Sequence, residues 1–388
     1  MSKIQFLLTT VLAALCLNSC ASFKAKYRSD FSRLDNSDTL DSEFVVYLVG
    51  DAGNAPLNMS TPELDYLKEE LTKESSNSAI VWLGDNIYPV GLAPDDHPDR
   101  ALGEHRLKAQ MNCLSDFKGR AYFIPGNHDW YDYGKAGIQR QEALIENYIP
   151  EIRKYNPWDQ NNYFLPDNAC GAIHTIPMND DIVMILMDSN WYLQDERDQL
   201  DHCDHNDPER FLSDLKTEIR KYAGKQLIIC LHHPPYSYGS HGSHFSFKDY
   251  VFPLTQLKSG LYIPLPFSGI VVNQMRAYIT EQDIKHRNYK LLKSVLETEL
   301  LNTDNAIVAA GHEHNLQYIS KDDVHYIVSG AGSKNNAVAL GKHSQFAVGK
   351  KGFVKLTFHK EGFRIDYIVP SEKKKNIYFR KDVSSSYD

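Results

Sequence analysis

The stretch AIVWLGDNIY, from Ala79 to Tyr88, is an apolar run that stops at a glycine and opens into polar residues. Four more apolar runs open in the same way into polar residues. FVVYLVGDAG runs from Phe44 to Gly53, and AYFIPGNHD from Ala121 to Asp129. QLIICLHHPP runs from Gln226 to Pro235, and NAIVAAGHEH from Asn305 to His314. The runs do not alternate apolar with polar residues, so each reads as a short strand buried on both faces. Helical patterns lie between them. Thr61, Pro62 and Glu63 supply an N-cap, a first-position proline and an acidic first turn ahead of Leu64, Leu67 and Leu71. Asn288 to Leu301 carries Leu291, Leu292, Val295, Leu296 and Leu300 in a helical rhythm. Strand, polar loop and helix, repeated, predict an α/β fold. In such folds, sites gather at the carboxyl ends of the strands. Turn preference alone accounts for Asp or Asn in one or two of these loops. It does not account for five loops that all carry metal-ligand residue types.

Composition sets the outer bounds. The 388 residues are 42% apolar and 24% charged, ordinary globular usage. Such a chain is neither a disordered tail, nor a collagen, nor a multi-span membrane protein. Its net charge of −8 disfavours a nucleic-acid binder that relies on a basic face. Six cysteines are too few for a disulfide scaffold, though Cys113, Cys170 and Cys203 include candidates for one bridge whose pairing the sequence leaves open. Cys230, inside an apolar run, reads as a small buried hydrophobe.

Farther along, residues 352–359 and 363–369 flank a glycine turn and predict a hairpin. Residues 371–388, rich in Lys and Ser, read as a flexible tail. The stretch 238–288 is rich in Pro, Gly and aromatic residues and lies between two motif loops. It reads as a lid or substrate wall, with a structural insertion as the alternative. Asp188 ends another apolar run and reads as a cap. The cluster from Asp201 to His205 has metal-like residue types but reads as a solvated loop.

The order GDxG, GDNxxY, GNHD, a strand-end His and GHxH resembles the calcineurin-like metallophosphoesterases, and among them the small, tartrate-resistant purple acid phosphatases. Gly84 to Tyr88 fits that family's tyrosine-containing motif. Gly311 to Tyr318 fits its GHxHNLQY loop, and Ser329 to Gly332 its following segment. The resemblance spans roughly residues 44–369. It implies a four-layer α/β/β/α sandwich of two mixed β-sheets with flanking helices, over a domain of residues 43–370. It also implies two metal ions: Fe(III) on Asp51, Asp85, Tyr88 and His314, and a divalent Fe, Mn or Zn on Asn127, His232 and His312. Asp85 would bridge the two. His233 competes with His232, and the family's spacing to the following proline selects His232. The chemistry agrees. Oxygen and imidazole ligands suit such cations, and a paired site can clamp the attacking and leaving oxygens of a phosphoryl transfer. A phenol, with an ordinary pKa near 10, needs a strongly acidic metal to hold it ionised.

By the same resemblance, His128 is the phosphate contact and general acid, and His241 faces the substrate with His244 as a weaker candidate. Asp129 reads as the group that orients His128, with a helix cap as the alternative. Glu313 stands where the family has Asp, a change expected to matter little. The expected reaction is hydrolysis of a phosphate monoester by in-line attack of a metal-bound hydroxide. A phosphodiesterase or nucleotide hydrolase on the same scaffold is the alternative, and a non-catalytic binding lipoprotein a more distant one.

The amino terminus predicts an address. Ile4 to Leu17 is an uncharged apolar stretch too short to span a bilayer. It ends in Leu17, Asn18, Ser19 and Cys20, which resembles a bacterial lipobox, with an ordinary secretory signal beside a nearby Cys as the alternative. Residues 1–19 then form a signal peptide and Cys20 carries lipid, with residues 20–42 as a tether. The lack of Asp after Cys20 points to a cell-envelope position in the outer membrane, facing the periplasm or the exterior.

Overall fold

The computed structural model describes residues 21–28, 41–156, 158–194, 203, 207–256, 260–265, 280–371 and 374–384. In chain order the strands are β1 Lys26–Tyr27, β2 Phe44–Val49, β3 Ser78–Leu83, β4 Arg120–Ile124, β5 Ile173–Pro177, β6 Ile182–Met187 and β7 Gln226–Leu231. They continue as β8 Ile307–Ala310, β9 Leu316–Lys321, β10 Val324–Ser329, β11 Ser344–Val348, β12 Phe353–His359, β13 Gly362–Ser371 and β14 Lys374–Ser384. The helices are α1 Pro62–Lys73, α2 Arg100–Met111, α3 Asn127–Trp130, α4 Gly134–Ile152, α5 Ser189–Leu193, α6 Pro208–Lys221, α7 Phe247–Val251 and α8 Arg287–Leu300.

Two mixed sheets result. One has the order β1-β11-β9-β10-β8-β7-β6-β5, the other β14-β13-β12-β2-β3-β4. The motif strands form parallel centres: β6, β7, β8 and β10 in the first sheet, and β2, β3 and β4 in the second. Alternate residues divide two cores. Phe44, Val46, Leu48, Val81 and Leu83 pack with Ile228, Cys230, Ile307 and Ala309 between the sheets. Val45, Tyr47, Ile80 and Trp82, with Ile185 and Ile229, face outward and share a core with helix residues such as Leu64, Leu67, Leu215 and Leu296. The layers are therefore α/β/β/α, which explains the unbroken apolar runs. Thr61 caps α1 by accepting a bond from the Leu64 amide, and Pro62 occupies the first turn.

Three expectations meet corrections. The segment expected as a flexible tail contributes β14, paired with β13 from Gly362↔Ser384 to Ser371↔Lys374. Phe379 and Val383 are buried on one face, while Arg380 pairs with Asp366 and Arg364 with Asp382 across the strands. Lys and Ser on the other positions hide that alternation. The start of the expected tether also packs. Ser22 bridges Val338, β1 covers the edge of β11, and the Ala21 amide donates to Phe245. An open strand edge gains from such a partner. Cys20, the apolar run before it and residues 29–40 lie outside the described residues. Thirdly, Cys203, within the stretch expected to be a solvated loop, forms a disulfide with Cys170, while Cys113 and Cys230 are free and buried; its neighbours Asp201, His202, Asp204 and His205 lie outside the described residues. No helix among the described residues is long and apolar enough to cross a membrane.

Candidate metal centre

The carboxyl ends of β2, β3, β4, β7 and β8 meet at one edge of the sandwich, and their first loop residues point inward. Three of them, Asp51, Asp85 and His312, have φ of 60°, 56° and 68°. The left-handed region is unfavourable for these side chains and persists where tertiary packing demands it. Glycines make the crowding possible. Gly84, at φ 86°, would put a Cβ 2.6 Å from His232 Nδ1, and a Cβ on Gly126 would strike the Asp85 carboxylate.

Two clusters of donor atoms share Asp85. In the first, Tyr88 Oη lies 2.8 Å from Asp51 Oδ1, from Asp85 Oδ2 and from His314 Nε2. One phenol proton cannot satisfy three such neighbours. In the second, Asn127 Oδ1 lies 3.0 Å from both His232 Nε2 and His312 Nδ1, and His232 Nε2 lies 3.3 Å from Asp85 Oδ1. The far sides of these rings face carbonyls. His232 Nδ1 is 2.7 Å from Leu83 O, and His312 Nε2 is 2.9 Å from Gln282 O. The ring protons therefore sit on the carbonyl sides, and the inward nitrogens present lone pairs. The Asn127 amide nitrogen donates to Tyr131 Oη at 2.6 Å, which turns its oxygen inward too. Lone pairs facing lone pairs in a buried site are the donor set of a cation, and the carbonyl contacts are the usual second layer of a metal site.

The electrostatics point the same way. Among protein groups alone, burial and then Asp85 push Asp51 up to about 8. For Asp85 burial acts upward, but His232 and His128 prevail and hold it below the ordinary carboxylate range. Burial, then the neighbouring imidazoles, holds His312 well below the usual histidine range; burial, then Lys334, pushes His314 down to about 4. Neutral imidazoles are the form that binds metal. Burial, then Asp51 and Asp85, drives Tyr88 well above an ordinary phenol.

His233 also lies within 4.8 Å of donor atoms of His232 and His312. Its own nitrogens are engaged, however: Nδ1 with Ser189 Oγ at 2.8 Å and Nε2 with Gln282 Oε1 at 2.5 Å. His128 stands at the rim with Nδ1 on Pro89 O at 2.5 Å and Nε2 turned towards Asp85 Oδ2, 4.0 Å away. The expectation that Asp129 orients it is corrected in favour of the alternative, a helix cap, since Asp129 accepts from the Gly126 amide at the start of α3. The Asp129 carboxylate is buried and accepts from the amides of Gly126, Asn86 and Ile87, so it ties two motif loops together. His241 lies beside the second cluster, its ring 4.1 Å from that of His312. His244 packs instead on Tyr238. Asp188 caps α5 and accepts from Trp130 Nε1.

Several residues here carried no motif. Asp283 Oδ1 holds His241 Nδ1 at 2.8 Å. With Gln282 it sets the end of the 238–288 stretch against three histidines, His233, His241 and His312. Glu313 matters more than expected. It is fully buried, and its Oε1 accepts from Ser237 Oγ and from the His241 and Gly242 amides. It thereby joins the loop of His312 and His314 to the loop of His241. Only its position between the two histidines hinted at this.

A family model described as calcineurin-like phosphoesterase matches residues 44–330. No curated protein matches the chain in sequence. Among solved structures, GAP50, the anchor in the inner membrane complex of Plasmodium, superposes with a TM-score of 0.55 at 17% identity, covering 89% of this chain and 89% of its own. PhoD gives 0.49 at 11% identity, over 87% of this chain and 68% of its own. A putative 5'-nucleotidase from Staphylococcus aureus gives 0.41 at 13% identity, over 85% of this chain and 55% of its own. The likeness to GAP50 is one of fold.

Proposed function

The chain belongs to the calcineurin-like phosphoesterase family, and from that membership we propose that it is a binuclear-metal phosphohydrolase cleaving phosphate monoesters, as the purple acid phosphatases do. The observation that carries this reading is the division of Asp85. Its Oδ2 faces the cluster of Asp51, Tyr88 and His314, and its Oδ1 faces that of Asn127, His232 and His312. The phenol in the first cluster favours Fe(III), because only a strongly acidic cation offsets the upward push on Tyr88. The second cluster suits a divalent Fe, Mn or Zn.

Cations bound in these clusters would polarise a phosphoryl group and acidify water. The chain's own residues do the rest. As the imidazolium, His128 keeps its Nδ1 proton on the Pro89 carbonyl and presents its Nε2 proton to the phosphoryl oxygens, to be passed to the leaving alkoxide. His241, steadied by Asp283, lines the opposite side. The Gln282–Asp283 limb walls the site against water. The same reading keeps the chain in the bacterial envelope, with lipid on Cys20; Cys20→Ser is then expected to move it from the membrane pellet to the soluble fraction.

The deciding experiment is metal analysis with a visible spectrum and rates on an aryl phosphate and its bis-ester. Two metals per chain including iron, a broad absorption lost in Tyr88→Phe, and faster monoester turnover are expected. Faster bis-ester turnover would move the chain to the diesterases, and a metal-free chain after reconstitution would overturn the catalytic reading.

A further inference from the structure

Lys334 is a cation at this site to which nothing above gives a task. It follows β10, in a stretch clamped on both sides to the ligand loops. The Gly332 amide donates to Gly50 O at 2.9 Å, and Ser333 Oγ donates to the backbone carbonyl of Asp51. The Asn336 amide group meets His314 Nδ1 at 3.2 Å. Held between these anchors, the Lys334 side chain lies over Tyr88, its Nζ 3.1 Å from the ring centroid. The other face of the same rim is His128, whose ring is 4.4 Å from that of Tyr88. Among the described residues the ammonium has no hydrogen bond or ion pair.

That arrangement is unusual for a half-buried lysine. An ammonium carries three donors, and taking them out of water without acceptors is costly. The aromatic face offsets part of that cost but accepts none of the protons in a directed bond. The ammonium thus sits on the ring of Tyr88, itself a member of the first cluster, with no described residue accepting its protons. We propose that Lys334 binds a non-bridging oxygen of the substrate's terminal phosphoryl group and so selects dianionic monoesters over monoanionic diesters; this rests on the phosphohydrolase reading. A monoester offers one more free oxygen and one more charge to a compact point charge. A diester turns its second organic arm to the rim, and wherever that arm covers Lys334 the ammonium is left desolvated and unpaired.

The test uses the full chain loaded with metals, as wild type, Lys334→Gln and Lys334→Arg. Calorimetry reads the affinity for inorganic phosphate, and kinetics read kcat/KM on 4-nitrophenyl phosphate and on bis(4-nitrophenyl) phosphate. Lys334→Gln is expected to weaken phosphate about tenfold, the worth of roughly one charge-assisted hydrogen bond. It should lower kcat/KM on the monoester by a similar factor and on the diester by less, with metal content unchanged and Lys334→Arg recovering most of the loss. Unchanged phosphate affinity in metal-replete Lys334→Gln overturns the proposal. So does a shifted tyrosinate absorption with phosphate binding intact, which would make Lys334 a tuning group for Tyr88. Loss of metal in both variants also overturns it, since the role would then be structural. If wild type binds phosphate through Lys334 yet hydrolyses neither ester, the anion site stands and the phosphohydrolase reading falls.

Discussion

Asp85 is the residue on which the site turns. It sits in a left-handed backbone conformation after β3, and each oxygen belongs to a different donor cluster. Asp85→Ala is therefore expected to strip both metals, read as metal content per chain, and not only the second one. Retention of either metal would mean that the clusters are independent. Asp188 tests a different property, the energetics of burial. Burial pushes its carboxyl from 3.8 up to about 7, against bonds from the Trp191 amide and Trp130. The folded state thus holds a proton that the unfolded chain releases near pH 4. Its stabilising effect is complete below about pH 4 and is lost as pH rises to about 7. Relative to Asp188→Asn, the wild type is expected to lose roughly 4 kcal/mol of stability between pH 4 and pH 8, measured by urea unfolding across that range. A flat difference would show that Asp188 ionises normally.

At the scale of elements, β14 is the instructive case. Its sequence hides an alternating face behind Lys and Arg, and the neighbours that bury Phe379 come from elsewhere in the chain: Phe346 at 4.9 Å, Tyr318 at 5.5 Å and Tyr367 at 6.0 Å between ring centroids. Phe379→Ala is expected to destabilise the protein by about 3–5 kcal/mol in urea unfolding. A residue on a loose tail would cost under about 0.5 kcal/mol. The motif strands lie at the opposite extreme. Each is apolar along nearly its whole length because both faces are covered, so a single sequence sufficed to find β2, β3, β4, β7 and β8. The limb carrying Gln282 and Asp283 has no periodicity at all, and its contacts with His312, His233 and His241 join residues 30, 49 and 42 positions apart.

Over the whole molecule, the two sheets contribute unlike halves of one centre. The sheet of β2, β3 and β4 brings Asp51, Asp85, Tyr88 and Asn127, whereas that of β7 and β8 brings His232, His312 and His314. A cation held by both halves would fasten the sheets along their shared edge and so favour the folded state. Saturating metal stabilises such a fold by about 4 kcal/mol at a thousandfold excess over Kd. Chelation is accordingly expected to lower Tm on the order of 10 °C, with recovery on adding metal back. An unchanged Tm would mean that the sheets hold this edge without help from the ligands.

The amino-acid order alone carried the α/β class, the ligand residue types and their succession along the chain. Those features follow from local chemistry: covered strands are apolar, and cations need oxygen and imidazole donors. Distance in space was beyond its reach. The engagement of both His233 nitrogens, the diversion of Asp129 to backbone amides and the position of Lys334 over Tyr88 depend on which loops meet. Loops meet where the packing of two sheets against each other puts them, and that packing is a property of the folded chain as a whole.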